Sequence, residues 1–361
     1  MGWVTRSIPE VLSLQRLEEL LEKVKSVRAG VIGDMALDAY WQVDMKRSRL
    51  SRETPHFPKP VVGERYSPGA GGNAAVNLAK LGLRSVSAFS VVGEDAWGPI
   101  LQETLERAGV ETGALIRDRS RRTPAYVKPI LGGYESEQED ARLDFENTSG
   151  LEARLEEQLV RSLEECLPGM EALLVADQFE EYGIVTERVR EALIRLAGQH
   201  PEKVFVVDSR QNIGLFRNLA LKPNALEAAL ALTKPVLRAA AEAVEAVDVE
   251  GMSMEELAEK GAELGRRCGR PVFLTLGGGG VLVCTHEWQV RVKAAPVRPP
   301  LDFVGAGDMF MAALAGMLAA GAEPGEAAAV ANLAAAVTVE KLNQTGSASP
   351  EEILARYELT R

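Results

Sequence analysis

A chain of 361 residues with 46% hydrophobic and 26% charged side chains can bury one large globular core and still carry an elaboration. Its formal charge of −11 argues against a nucleic-acid surface or a polybasic membrane face. The three cysteines, Cys166, Cys268 and Cys284, are scattered without metal-ligand spacing and suit a reducing compartment.

The first patterned stretch, Leu12–Val27, alternates Leu with Glu, Lys and Arg. That is an amphipathic surface pattern rather than a secretory signal, so a cytoplasmic protein is expected. Candidate strands follow at Gly30–Gly33, Val86–Val92, Ala172–Ala176, Val204–Val207, Leu219–Lys222 and Val272–Leu276. Helical patterns lie between most of them, at Gly72–Leu81, Pro99–Ala108, Glu187–Leu196 and Met254–Arg267. The alternation predicts an α/β fold, a doubly wound and mostly parallel sheet with helices on both faces. Ligands of such sheets bind beyond the carboxyl ends of the strands. Asp34, Asp95, Asp177, Asp208, Asn224 and Gly277 each closely follow a candidate strand, which predicts a crevice lined by acidic and amide groups.

Two stretches break the alternation, Tyr40–Tyr66 and about residues 123–145; both read as extended. They are expected to pack together as a small β-sheet lid over the crevice, within a single domain spanning residues 1–361. A small sheet has open edges and one apolar face, so a homodimer formed through the lid is expected. The Ala-rich tract Ala225–Ala246 reads as helix rather than disorder.

Several motifs carry chemistry. Gly33-Asp34-Met35-Ala36-Leu37-Asp38 puts two carboxylates at the end of the first strand, where they suit vicinal sugar hydroxyls or, equally, an Asp-stabilised turn. Gly69-Ala70-Gly71-Gly72-Asn73 opens a helix with small residues and one amide able to donate and accept. A dinucleotide fingerprint fits poorly there, because the glycines follow a long extended excursion instead of the first strand. In Pro223-Asn224-Ala225-Leu226-Glu227, Asn224 and Glu227 share one face of a helical turn. They could position a hydrated Mg²⁺, or form a helix cap with the same spacing. Thr275-Leu276-Gly277-Gly278-Gly279-Gly280 leads into the strand-like Val281–Val283, as a hairpin turn or as backbone lying against a nucleotide. Asn332, inside the apolar helix Ala327–Val339, is a polar group that needs a partner.

The most informative stretch is Asp302-Phe303-Val304-Gly305-Ala306-Gly307-Asp308 and the apolar run behind it. Between Asp302 and Glu323 the only charged side chain is Asp308. Gly305 and Gly307 permit a tight turn with amides converging at a helix N-terminus, a cradle for phosphate. A carboxylate beside such a cradle can take the proton of an attacking hydroxyl, although Asp308 also suits a plain helix cap. The uncharged run Met309–Ala322 is shorter than the roughly 17 residues that span a bilayer.

In this order, from about Gly30 to Pro350, the motifs resemble the ribokinase-like, phosphofructokinase-B family of sugar and nucleoside kinases. The resemblance implies Asp308 as catalytic base, with Gly305, Ala306 and Gly307 as the anion hole. It implies Asn224, Thr275, Gly277, Gly280 and Asn332 around the nucleotide, ATP, and Asn224 and Glu227 serving its phosphates and Mg²⁺. Asp302 matches a position that helps bind a monovalent cation such as K⁺. Asp34, Asp38, Gly71, Gly72, Asn73, Arg142, Asp144 and Asp177 are expected on the sugar side.

Within the family, Gly33–Trp41, Ser48–Pro55 and Arg142–Glu146 are most similar to the branch that phosphorylates heptose 7-phosphate at C1. Bifunctional members of that branch carry a nucleotidyltransferase domain, and this chain is expected to be the kinase alone. Where that branch has Asp-Tyr-x-Lys-Gly, this chain has Asp177-Gln178-Phe179-Glu180-Glu181-Tyr182-Gly183, and Ser67 replaces the Arg before the Pro-Gly of the sugar loop. An acid in place of a lysine should weaken the hold on a dianionic substrate phosphate. The usual Thr after the catalytic Gly-Asp is Met309, a change expected to alter packing only. Another sugar or nucleoside specificity of the same family, or a catalytically poor sensor of sugar or nucleotide, stays open at this point.

Overall fold

The computed structural model describes residues 2–233, 251–342 and 346–361. Ten strands form one sheet: β1 (Val4–Arg6), β2 (Arg28–Gly33), β5 (Ser85–Gly93), β6 (Leu115–Asp118), β10 (Ala172–Asp177), β11 (Val204–Ser209), β12 (Ala220–Leu221), β13 (Val272–Thr275), β14 (Val281–Cys284) and β15 (Gln289–Val292). Their spatial order is β1-β15-β14-β13-β12-β11-β10-β2-β5-β6. All pairs are parallel except β13–β14 and β14–β15, so the glycine run after Thr275 does turn a hairpin. From β2 the chain builds outward to β5 and β6, then crosses to β10 on the other side of β2. That reversal makes the carboxyl ends of β2 and β10 the crevice where such sheets bind ligands.

Helices cover both faces, and the period of their leucines explains it. Leu155, Leu159 and Leu163 of the Ala153–Cys166 helix recur every four residues and are buried with Val189 and Leu193 of the Glu187–Gln199 helix on one face. On the other face lie Gly71–Lys80, Ala306–Ala319 and Pro324–Val339, the last of which buries Ala at six positions and so admits a close neighbour. Two expectations change in extent. The strand expected at Leu219–Lys222 is only Ala220–Leu221, since Asn218 turns at φ 67° and Pro223 has no N–H to continue the ladder. The Ala-rich tract is helical over Ala225–Thr233, and the rest of it lies outside the described residues.

The two extended stretches do build a second sheet: β3 (Met35–Asp44), β4 (Val61–Ala70), β7 (Ala125–Gly132), β8 (Gln138–Glu139) and β9 (Leu143–Phe145). Its order is β4-β3-β7-β8, with β9 also on β7. Register places Asp38 between Ser67 and Tyr126, and Tyr40 between Arg65 and Lys128. Leu37 and Ala39 are fully buried, so the strand's other face presents Asp38 and Tyr40. One residue, Asp34, separates β2 from β3, and none separates β4 from the Gly71–Lys80 helix.

Candidate active site

The Ala306–Ala319 helix begins at Gly305, whose φ of 79° is left-handed and suits only glycine without strain. Asp308 therefore sits in the first turn, where the amides of Gly307 and Asp308 have no carbonyl four residues back inside the helix. A side chain on Gly307 would meet nothing within 4 Å, so this turn faces open space. Asp308 is half-buried, and Asn73 Nδ2, in the first turn of the Gly71–Lys80 helix, donates to its Oδ2 at 2.6 Å. Burial pushes the Asp308 pKa up to about 6, against the Asn73 bond and the charges of Lys222 and Arg210, which lower it. The helix dipole favours the charged form, but here desolvation dominates.

Beside it lies a cluster from the carboxyl ends of β11 and β12. Lys222 Nζ is 3.1 Å from Asp208 Oδ2, and both residues are buried. Burial opposes the Lys222 charge, but Asp208, Glu227 and Asp308 outweigh it and its pKa is raised. Glu227 is pushed up by burial and by Asp208, with Lys222 and Arg210 opposing. Asn224 and Glu227 form a reciprocal cap: Asn224 N donates to Glu227 Oε2, and Glu227 N to Asn224 Oδ1, each at 2.8 Å. The capping alternative is thus present. Glu227 Oε1 keeps no hydrogen bond among the described residues, which fits one oxygen offered to a hydrated Mg²⁺. No group of three His, Cys, Asp or Glu side chains among the described residues could cage a metal. Asp302 lines a shallow recess with Phe303, Val304 and Leu342 as well as the edge of the recess under the second sheet, its amide bonded to the Val339 carbonyl.

Thr275, Gly277, Gly280 and Asn332 come together, with Ala306 and Gly307, around a cavity of about 250 Å³. Its walls are mostly apolar, including Val297, Phe310 and Val339, the character of a slot for a planar base. Asn332 Nδ2 donates to the carbonyls of Val292 and Lys293 at 3.1 Å, so its partner is a strand end. Asn224 and Thr275 pair as an isolated bridge, which links the cap to this cavity.

The polar face of the second sheet covers the other side. One recess of about 610 Å³ is bordered by Tyr40, Arg65, Lys128, Glu137, Asp302 and Val304. A second, of about 340 Å³, is bordered by Tyr126, Arg142, Gln178, Glu180, Glu181 and Arg210. Asp38 is ion-paired with Lys128 at 2.8 Å, and Lys128 also lies over the Tyr40 ring. Arg142 grips Asp144 by two bonds of 2.6 Å and stacks over Tyr126. Gly71 and Gly72 open the helix that carries Asn73, with Gly71 N donating to the Asp34 carbonyl at 2.8 Å.

Two expected sugar-side acids lie elsewhere. The Asp34 carboxylate is buried and accepts from the backbone of Gln178, Phe179 and Ile184. Asp177 is buried and accepts from Ser209 Oγ at 2.5 Å and Asn212 Nδ2 at 3.1 Å. Neither borders the two recesses described above, and donors from the chain itself occupy both carboxylates. Sequence reasoning in turn passed over Lys222, Arg210 and Lys128. Lys222 had a signal, being a lysine at a strand end directly before Pro223-Asn224; the other two gain their place only from register and folding.

The sequence profile of the pfkB family carbohydrate kinases matches residues 36–352. Curated relatives include the bifunctional protein HldE of Geotalea uraniireducens, 31% identical over 353 residues that cover 94% of this chain and 65% of that protein. The HldE of Trichlorobacter lovleyi is 29% identical over 355 residues, covering 95% of this chain and 65% of its own length. This chain thus spans about two thirds or less of those relatives. Among solved structures, Thermotoga maritima ribokinase superposes with a TM-score of 0.63 at 22% identity, covering 92% of this chain and 99% of that one. Escherichia coli phosphofructokinase-2 in complex with potassium gives 0.66 at 18% identity, covering 93% and 100%.

Proposed function

The chain belongs to the pfkB family of carbohydrate kinases, and from that premise we propose that it moves the terminal phosphoryl group of ATP onto the C1 hydroxyl of a heptose 7-phosphate or a related sugar. The observation that carries this reading is Asp308, fixed by Asn73 in the first turn of a helix whose Ala306 and Gly307 border the apolar cavity and whose preceding Asp302 and Val304 border the polar, sheet-covered recess. Asp308 takes the acceptor hydroxyl proton as the oxygen–phosphorus bond forms. The amides of Gly307 and Asp308 and the helix dipole stabilise the phosphoryl oxygens, the Ala306 amide being taken by the Phe303 carbonyl, and Lys222 and Arg210 balance the carboxylates around them. Mg²⁺, held by Glu227 and Asn224, would supply charge neutralisation on the phosphates.

Asp38, Lys128 and Asn73 orient the sugar, with the second sheet acting as its lid. Exposed Val61, Val62 and Leu143 on that sheet support pairing of two copies through it. Among the described residues no helix is long and apolar enough to cross a membrane. A second reading has its own observation: Glu180 and Glu181 border the recess beside Arg142 and Arg210, which favours an acceptor without a second phosphate.

The test is Mg²⁺- and ATP-dependent ADP release against free sugars, sugar phosphates and nucleosides, with Asp308→Asn as control. Turnover on heptose 7-phosphate supports the first acceptor, and turnover only on an unphosphorylated sugar supports the second. Absence of turnover on the whole panel would overturn the kinase proposal.

A further inference from the structure

The segment Gln178–Tyr182 forms one wall of the 340 Å³ recess next to Arg142 and Arg210. It is joined to the protein behind it by buried charge. Asp34 Oδ2 accepts from the amides of Gln178 at 2.9 Å and Phe179 at 2.8 Å, and Oδ1 from that of Ile184 at 2.8 Å. Asp34 is 1% exposed, so these bonds form away from water. From the other side Arg121, 5% exposed, donates to the Tyr182 carbonyl at 2.7 Å and the Ser149 carbonyl at 2.9 Å. Tyr182 itself stands at φ 55°, a left-handed conformation that a non-glycine residue keeps only when its surroundings enforce it. Gly183 passes so close that a side chain there would come within 2.9 Å of Asp34 Oδ1.

We propose that Asp34 is a positioning residue for the acceptor: with Arg121 it clasps the Gln178–Ile184 loop into the wall of the sugar recess. Acceptor affinity then depends on a carboxylate that the sugar does not touch. The inference rests on the sugar-kinase reading of the site. A carboxylate that accepts three amides is a better clasp than a carboxylic acid, which turns one acceptor oxygen into a donor. The charged groups that face Asp34 are Asp177, from the end of β10, and Arg121, from the segment before β7. Burial, together with Asp177, raises the Asp34 pKa to about 7, so the clasp tightens as pH rises through neutrality.

The experiment measures steady-state kinetics between pH 6 and 8.5, and hydrogen–deuterium exchange over residues 178–184, in the wild type, Asp34→Asn and Gly183→Ala. Both variants should raise the acceptor KM by about tenfold, as a 1 Å-scale misplacement does, leave the ATP KM unchanged and speed exchange in the loop. The wild-type acceptor KM should fall from pH 6 to pH 8, and this dependence should vanish in Asp34→Asn. Gly183→Ala carries the test if Asp34→Asn fails to fold. Wild-type turnover with unchanged acceptor KM and loop exchange in the variants would overturn the clasp alone. No wild-type turnover on any acceptor would overturn the kinase reading, and the clasp's role with it.

Discussion

Asn73 and Asp308, 235 positions apart, meet in a 2.6 Å hydrogen bond that occupies Oδ2 of the carboxylate. The bond points one lobe of the candidate base and leaves Oδ1 for an acceptor hydroxyl. It also lowers the Asp308 pKa against the burial that raises it. Replacing Asn73 by Leu should therefore do two things. Turnover should fall by about tenfold or more through lost orientation, and the acid limb of kcat/KM should move to higher pH. A pH–rate profile of the variant that overlays the wild type would contradict this role.

In the wild type that acid limb should have an inflection near 6, because Asp308 must be ionised to accept a proton. Asp308→Asn should lower kcat by at least about 10²-fold, the lower end of what general-base catalysis supplies. ATP binding, followed by calorimetry, should survive the change.

The same carboxylate makes a stability prediction. Its folded-state pKa lies above the unfolded one, so the native protein holds an extra proton at intermediate pH. Stability contributed by this group is present below about pH 4 and is lost as pH rises through about 6. Asp308→Asn should then be more stable than the wild type by about 1–2 kcal/mol at pH 8, and nearly equal to it at pH 4. Urea denaturation at the two pH values measures the difference; a destabilised variant at pH 8 would refute the sign.

Lys222→Met should leave Asp208 buried and unpaired at a cost of about 3 kcal/mol, seen as a lower denaturation midpoint. It should also raise the Asp308 inflection, since Lys222 lowers that pKa. Glu180→Lys bears on the acceptor instead. A cation at the recess should improve kcat/KM for a phosphorylated sugar over its unphosphorylated counterpart by about tenfold, the scale of one charge-assisted hydrogen bond. An unchanged ratio would remove Glu180 from the specificity question.

The parallel sheet and the second sheet were legible because hydrophobic period encodes them locally, whereas the meeting of Thr275 and Asn332 in one cavity was implied only by the family resemblance. The orientation of a carboxylate is not encoded that way. Asp34 and Asp38 look alike in the sequence. One meets amides 144 to 150 positions later, the other a lysine 90 positions later, and only the finished register decides which partner each meets. The Asn224–Glu227 spacing likewise satisfies a cap and leaves an oxygen over, so two readings that compete on paper coexist in the fold.

The junction between the sheets has a mechanical consequence. Asp34 alone joins β2 to β3, β4 passes straight into the Gly71–Lys80 helix, and the Gly71 amide ties the two crossings together at 2.8 Å. Ala70, at φ 50°, leaves little slack in the second of them. Two crossings this short, tied to each other, oppose sliding of the second sheet over the ends of the first. Asp38, four residues beyond Asp34, and Asn73, two beyond Gly71, are thereby anchored to one shared point of the chain, which sets the spacing of two side chains that belong to different elements.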